Sequence, residues 1–147
     1  MNRRATSKLT IGSLDFVVIS STVTCDANEN SIMCPAKLET EKSAMIDMKL
    51  MIDCGIEGDF INQTYAMLMG IKKMALAKPI MVKNIDGTIN RMGTITHYVN
   101  VTLEISERKW NKQLYVTKLG KQRIILGIPW LKRENPDINW QTGTINW

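Results

Sequence analysis

The stretch Met51-Ile52-Asp53-Cys54-Gly55-Ile56-Glu57-Gly58-Asp59-Phe60-Ile61 is the most informative part of this chain for its fold. An apolar run leads into a turn that begins at Asp53 and contains Gly55 and Gly58, and a second apolar run leaves it. Glycine adopts positive φ values without steric cost, so the backbone can fold tightly around the carboxylate. The pattern predicts an acid held rigidly between two buried apolar segments, although an ordinary strand-ending turn has the same local sequence.

A second block, Arg123-Ile124-Ile125-Leu126-Gly127-Ile128-Pro129-Trp130-Leu131, has a similar order of apolar strand, glycine and turn. Its continuously apolar run, Ile124 to Leu126, predicts a strand in the middle of the core. Pro129 favours a first helical position, where its missing N–H costs nothing. We therefore expect a short helix, Trp130 to Glu134, that stops at Asn135-Pro136.

Together the two blocks resemble the retropepsin-like aspartic proteases, and most closely the protease segment of long-terminal-repeat (gypsy-type) retrotransposon polyproteins. The likeness covers about residues 31 to 145 and follows the family's order of catalytic loop, short helix, flap hairpin and Ile-Leu-Gly strand. Asp53 and Gly55 match the Asp-(Ser/Thr)-Gly loop. Cys54 stands where the family has Ser or Thr, and Ile56 stands where it usually has Ala.

The resemblance implies an all-β, mainly antiparallel fold, namely a closed barrel or sandwich with one or two short helices that forms a symmetric homodimer. It implies an aspartic endopeptidase for polyprotein processing, acting on polypeptide with a water activated by paired Asp53 carboxylates. Neither a metal nor an organic cofactor is required. The residues implied are catalytic Asp53, the active-site loop Cys54, Gly55 and Ile56, the flap and substrate-binding residues Ile85, Asp86, Gly87 and Thr88, and the loop-supporting residues Ile125, Leu126 and Gly127.

A dimer is expected because peptide hydrolysis of this type needs two carboxylates and one Asp-x-Gly loop supplies only one. Asp59 and Asp86 do not follow a comparable strand. The departures at Cys54 and Ile56 leave an alternative open, a catalytically weakened or inactive retropepsin-fold module that dimerises or binds.

Periodicity and turn residues predict most of the remaining elements. Ala44–Ile52 alternates poorly and its methionines would also fit a helix, and it is the resemblance that implies a strand there. Strands are expected at Leu14–Ile19, Met33–Leu38, Ala44–Ile52, Tyr98–Ile105 and Gln113–Thr117, a helix at Asn62–Gly70, hairpin arms at Pro79–Ile89 and Gly93–Tyr98, and strand-like residues at Ile138–Trp140 and Thr144–Trp147. Asp86-Gly87 is the strongest local turn signal, and in the family this region is the flap. Residues 1–30 are expected to be a partly ordered N-terminal extension, and residues 31–147 the protease domain.

Composition limits the other classes of function. The 147 residues, 44% hydrophobic and 22% charged, are typical of one soluble globular domain. The net charge of +5 lies in residues 79–147, which hold ten Lys/Arg and five Asp/Glu. A basic half can bind nucleic acid, but the few aromatic residues are not interleaved with basic ones, so nucleic acid is not expected as a partner.

The three cysteines form no Cys-x-x-Cys pair and His97 is the only histidine, which argues against a structural zinc site. An odd number of cysteines without a disulfide framework predicts a reducing compartment, so a cytoplasmic, intracellular location is expected. Asp15 interrupts the apolar stretch near the N-terminus, which argues against a signal peptide. No run reaches the ~18 apolar residues that a membrane span requires, so no membrane partner is expected.

Overall fold

The computed structural model describes residues 16–19 and 31–147, with side chains for residues 31–147. The described residues form ten strands and two short helices. The strands are β1 (Phe16–Ile19), β2 (Ser31–Glu39), β3 (Met45–Asp53), β4 (Phe60–Asn62), β5 (Met74–Asn84), β6 (Ile89–Ile105), β7 (Arg108–Thr117), β8 (Ile124–Leu126), β9 (Asp137–Asn139) and β10 (Thr144–Asn146), and the helices are α1 (Gln63–Leu68) and α2 (Ile128–Glu134). The predicted all-β class with short helices is confirmed.

Six strands close into a ring in the order β6, β2, β3, β8, β4 and β7, because β7 pairs with both β4 and β6. The β6–β7 ladder runs antiparallel from the Tyr98–Tyr115 pair to the Ile105–Arg108 pair. Within the ring only β3–β8 and β4–β7 are parallel, and the other four pairings are antiparallel. The predicted closed, mainly antiparallel barrel is confirmed.

Two clusters of buried side chains form the core. The larger fills the barrel, where Leu38, Leu50 and Leu114 are fully buried, and each such side chain contributes about 1.5–3 kcal/mol by leaving water. The smaller cluster packs Ile56 and Phe60 from the Asp53 loop against apolar residues of β5 and β6. It therefore ties the hairpin to the loop that carries the acid.

Both helices are present where the sequence predicts them, although α2 begins at Ile128, one residue before Pro129. Asn62 caps α1 by accepting hydrogen bonds from the backbone N–H groups of Thr64 and Tyr65, at 2.8 and 3.4 Å. The left-handed Gly70, with φ of 68°, follows the end of α1. In α2, Pro129 lies in the first turn and Asn135 forms a left-handed C-cap.

The predicted hairpin is present but longer than expected. Its arms are β5 and β6, and β6 continues without interruption from the hairpin into the barrel. The turn at its tip closes with a hydrogen bond of 2.7 Å from the Asn84 N–H to the Thr88 carbonyl. Gly87 has φ of 91°, which only glycine adopts without strain. Asp86-Gly87 is therefore the turn that the sequence predicts.

Strand β7 begins at Arg108, five residues before the predicted start at Gln113. The reason is a two-residue turn in which Ser106 and Glu107 both have positive φ, 48° and 70°. Such a turn matches the twist of a hairpin, and it usually contains glycine or asparagine. Ser106-Glu107 contains neither residue, so no residue type marks this turn in the sequence.

Strand β1 is the described part of the N-terminal region, and the C-terminal residues form a hairpin. Strand β1 falls within the predicted Leu14–Ile19 strand and pairs in parallel with Met81–Asn84 of β5. The other residues of the predicted N-terminal extension lie outside the described residues. At the C-terminus, β9 and β10 form an antiparallel hairpin. Trp147 beyond it packs on Trp110 and Trp130, with ring centroids 5.6 and 6.2 Å apart.

Candidate active site

Asp53 lies at the end of β3, one of the six strands that form the barrel wall. Its strand is paired on one side with β2 and on the other with β8, where Met51 lies opposite Ile125 and Ile52 opposite Leu126. The next residues form the turn, and the Gly55 N–H donates a 2.8 Å hydrogen bond to Asp53 Oδ1. Paired strands therefore hold the half-buried carboxylate in one place.

Burial raises the pKa of the Asp53 carboxyl above its usual range, and the hydrogen bond from Gly55 partly offsets the rise. The protonated acid is correspondingly easier to form than in a solvated aspartate. The pKa of the exposed Cys54 thiol is also raised, first by burial and then by the negative charge of Asp53. A thiol with a raised pKa is a poor nucleophile at neutral pH.

The segment after β8 crosses directly over the Asp53 loop. The Ile128 N–H donates a 2.8 Å hydrogen bond to the Ile56 carbonyl. A Cβ at Gly127 would collide with the carbonyl oxygens of Ile56 and Gly58, so no other residue fits this crossing without a backbone shift. Of the predicted supporting residues, Gly127 therefore lies against the backbone of the loop, and Ile125 and Leu126 pair with β3.

Asp59 connects three parts of the structure from a buried position. Its Oδ1 accepts a 2.8 Å hydrogen bond from the Gly127 N–H, and its Oδ2 lies 2.6 Å from Lys112 Nζ. Its backbone carbonyl accepts a 3.0 Å hydrogen bond from the Tyr115 N–H. Burial raises the pKa of Asp59, and the Lys112 ammonium opposes the rise. Asp59 therefore joins the Asp53 loop to β7 and to the residue that follows β8.

Sequence reasoning missed this ion pair. Asp59 follows the turn after β3, and β4 begins at the next residue. A signal was available at Lys112. Along β7 the side chains of Trp110, Leu114 and Val116 all pack on the barrel core, and Lys112 shares their parity. A lysine at such an inward position requires a buried acidic partner.

The other predicted site residues lie in two environments. Ile56 is 5% exposed and packs into the smaller core cluster, so in the single chain its added bulk faces the core. The tip residues Ile85, Asp86, Gly87 and Thr88 are exposed. Thr88 donates to Asp86 Oδ1 from its backbone N–H at 2.9 Å and from its hydroxyl at 2.6 Å, which lowers the pKa of Asp86.

The described residues contain no group of three or more His, Cys, Asp or Glu side chains arranged to hold a metal ion. Within the same residues, no helix is long and apolar enough to cross a membrane.

A closed barrel with an Asp-x-Gly loop at the end of one strand and a long hairpin is the fold of a retropepsin-like protease domain. The solved structures that share this fold include the following two. The retroviral protease-like domain of Ddi1 from Leishmania major has a TM-score of 0.53 and 13% identity, with 80% of this chain and 87% of that one covered. EIAV protease complexed with the inhibitor HBY-793 has a TM-score of 0.51 and 14% identity, with 80% and 99% covered.

The sequence model of the PEG10/RTL1 protease domain matches residues 49–147, which is most of the chain. The chain belongs to this family of retrotransposon-derived, retropepsin-like domains. The matched segment begins just before Asp53 and includes the hairpin, β8 and α2. The predicted resemblance is confirmed.

Proposed function

We propose that this chain is an aspartic-type endopeptidase that cleaves peptide bonds of a polyprotein as a symmetric homodimer. The observation that carries the proposal is the half-buried Asp53 carboxylate, which stands at the end of a paired strand and has a raised pKa. Membership of a protease-domain family supports the same reaction class.

The dimer supplies the second carboxylate. Each subunit contributes one Asp53, and the two acids meet on the two-fold axis. Like charges this close do not both ionise, so the pair shares one proton and titrates as a unit. The raised pKa of Asp53 within one subunit already favours a shared proton, since burial penalises the charged form.

Hydrolysis then follows from the two protonation states. The ionised Asp53 accepts a proton from a water as the water oxygen bonds to the scissile carbonyl carbon. The protonated Asp53 donates a hydrogen bond to the carbonyl oxygen. A proton passes to the leaving nitrogen as the carbon–nitrogen bond breaks, giving a carboxylic acid and an amine. No metal or organic cofactor takes part.

The hairpin formed by β5 and β6 acts as the flap over the polypeptide substrate. Ile85 and Ile89 flank the turn and are 54% and 59% exposed. Exposed apolar side chains at a hairpin tip suit contact with a bound peptide or with the second flap. The smaller core cluster holds the other end of the hairpin against the Asp53 loop.

Cys54 supports a second candidate, a dimerising or binding module with weak or no activity. Its exposed side chain stands where the resemblance places a hydroxyl that bonds across the dimer axis. A thiol is only a weak hydrogen-bond donor. Weaker donors would loosen the paired loops without changing the fold of one subunit.

Peptide cleavage and sedimentation of the purified chain and of Asp53→Asn test the proposal. We expect a dimer that cleaves peptides, and an Asp53→Asn chain that remains folded and dimeric but is inactive. Cleavage by a monomer, or at an undiminished rate after Asp53→Asn, would refute the aspartic mechanism. A dimer that cleaves nothing would favour the binding module.

An intracellular, reducing location is part of the proposal. Its support is that, within the described residues, neither Cys34 nor Cys54 forms a disulfide. Burial raises the pKa of Cys34 to about 11, so this thiol is unreactive in the folded chain.

A further inference from the structure

A cavity of about 440 Å³ lies along the returning arm of the hairpin, and we call it the basic cavity. Its charged and titratable lining consists of Lys73, Arg91, His97 and Lys118, and Thr94 and Thr96 add hydroxyl groups. These residues come from β6, from the segment between α1 and β5, and from the residue that follows β7. None of them belongs to the Asp53 loop.

The lining of the basic cavity contains no carboxylate. Lys73, Arg91 and Lys118 are exposed, and within residues 31–147 none of the three forms an ion pair with an acidic side chain. Three cations around one concave space repel one another, and an anion in that space relieves the repulsion. The hydroxyl groups provide further hydrogen-bond donors for such an anion.

The shape and lining favour a peptide carboxylate over nucleic acid. No aromatic side chain lines the basic cavity except His97, whose Nδ1 lies 2.8 Å from the Thr96 hydroxyl. Single-stranded nucleic acid gains much of its affinity by stacking bases on Phe, Tyr or Trp. A concave space of about 440 Å³ accommodates one acidic side chain, whereas a duplex is bound through many phosphate contacts along its length.

We propose that the basic cavity binds an acidic side chain of a polypeptide and thereby joins the hairpin to the barrel. Arg91 lies on the hairpin arm and Lys118 follows β7 of the barrel, so an anion held by both bridges the two parts. The Thr117 hydroxyl already donates a 3.1 Å hydrogen bond to the Met92 carbonyl across the same junction. The choice of a polypeptide ligand rests on the proposed endopeptidase function.

Binding is tested with the full chain carrying Asp53→Asn, which removes cleavage from the measurement. The probes are a fluorescent peptide with consecutive glutamates and the same peptide with glutamines. We expect only the glutamate peptide to bind, inorganic phosphate to compete with it, and added salt to weaken it. The double variant Arg91→Gln/Lys118→Gln should lower its affinity by about tenfold for each cation removed.

The matched control is Lys121→Gln/Lys132→Gln, which removes the same charge from two exposed lysines outside the cavity. Equal weakening in the control and cavity variants would overturn the site, because binding would then follow net charge. Equal binding of both peptides would also overturn it. A short single-stranded oligonucleotide that outcompetes the glutamate peptide, and depends on Arg91 and Lys118, would replace the peptide assignment with nucleic acid.

This experiment is separate from the test of peptidase activity. Glutamate-peptide binding that depends on Arg91 and Lys118 supports the basic cavity even if the unmutated chain cleaves nothing. In that case the endopeptidase proposal fails and the cavity proposal stands. Cleavage by the unmutated chain without such binding overturns the cavity proposal and leaves the endopeptidase in place.

Discussion

Lys112 Nζ lies 2.6 Å from Asp59 Oδ2, and the two side chains are only 6% and 5% exposed. Asp59 ends the loop that carries Asp53, and its Oδ1 also accepts a hydrogen bond from the Gly127 N–H. The pair therefore adjoins this loop. Taking two charges out of water is costly, so removing one partner leaves an uncompensated buried charge. The architecture of the candidate site therefore depends on an interaction between β7 and the residue before β4.

Replacing Lys112 by methionine should destabilise the chain strongly, by about 3–5 kcal/mol, because Asp59 loses its counter-charge. Chemical denaturation measures the change. Lys109→Met is the matched control, since Lys109 lies on the same strand in an exposed pair 3.9 Å from Glu39, and such pairs contribute less than about 1 kcal/mol. Adding Asp59→Asn to Lys112→Met should recover part of the loss, and a double variant as unstable as the single one would contradict this account.

Gly127→Ala should destabilise the fold and abolish cleavage, because the new Cβ meets the carbonyl oxygens of Ile56 and Gly58. Overpacking against a backbone that cannot yield costs about 1–3 kcal/mol. Gly143→Ala is the comparison, since Gly143 has φ of 78° and nothing within 4 Å of the added Cβ. It should lower stability through backbone strain and leave the cleavage rate of the folded protein unchanged. Full activity in Gly127→Ala would show that the crossing does not position the loop.

Asp53→Asn should make the free energy of unfolding less dependent on pH. The folded pKa of Asp53 is raised above 3.8, so between that value and the raised pKa the folded chain binds more proton than the unfolded chain. The stabilisation is complete below 3.8 and is lost as pH rises through the folded pKa. The variant should therefore gain stability relative to the unmutated chain as pH increases toward neutrality.

The control for this titration is Asp47→Asn, an exposed position on the same strand. Thermal unfolding of both variants across acid and neutral pH provides the comparison. A stability difference for Asp53→Asn that is constant with pH would show that burial does not penalise its charge.

Cys54→Ser should tighten the proposed dimer and leave cleavage intact or increase it. A hydroxyl restores the strong donor, and two such hydrogen bonds per dimer contribute about 1–3 kcal/mol. Sedimentation and peptide-cleavage rates measure both effects, and Cys54→Ala, which has no donor, should show neither. Complete loss of activity with an unchanged dimer would instead identify Cys54 as a nucleophile and overturn the aspartic mechanism.

Local sequence determined several elements on its own, because their causes lie within a few residues. Asn62 caps α1, Pro129 lies in the first turn of α2, and Asp86-Gly87 sets the hairpin turn. The Asp53 loop belongs to this group, since an apolar strand, an acid and a glycine are adjacent in the chain. Short-range hydrogen bonding and φ preferences suffice to predict such features.

The tertiary structure decided the contacts between residues that are distant in the sequence. Barrel closure through β6 and β7 begins at a turn, Ser106-Glu107, with no glycine to mark it. The Asp59–Lys112 pair and the crossing at Gly127 link segments that no local pattern connects. The basic cavity brings Lys73, Arg91 and Lys118 together from three segments. Long-range contacts depend on strand register and on which face each side chain occupies, and a change of one residue in register would reverse every face.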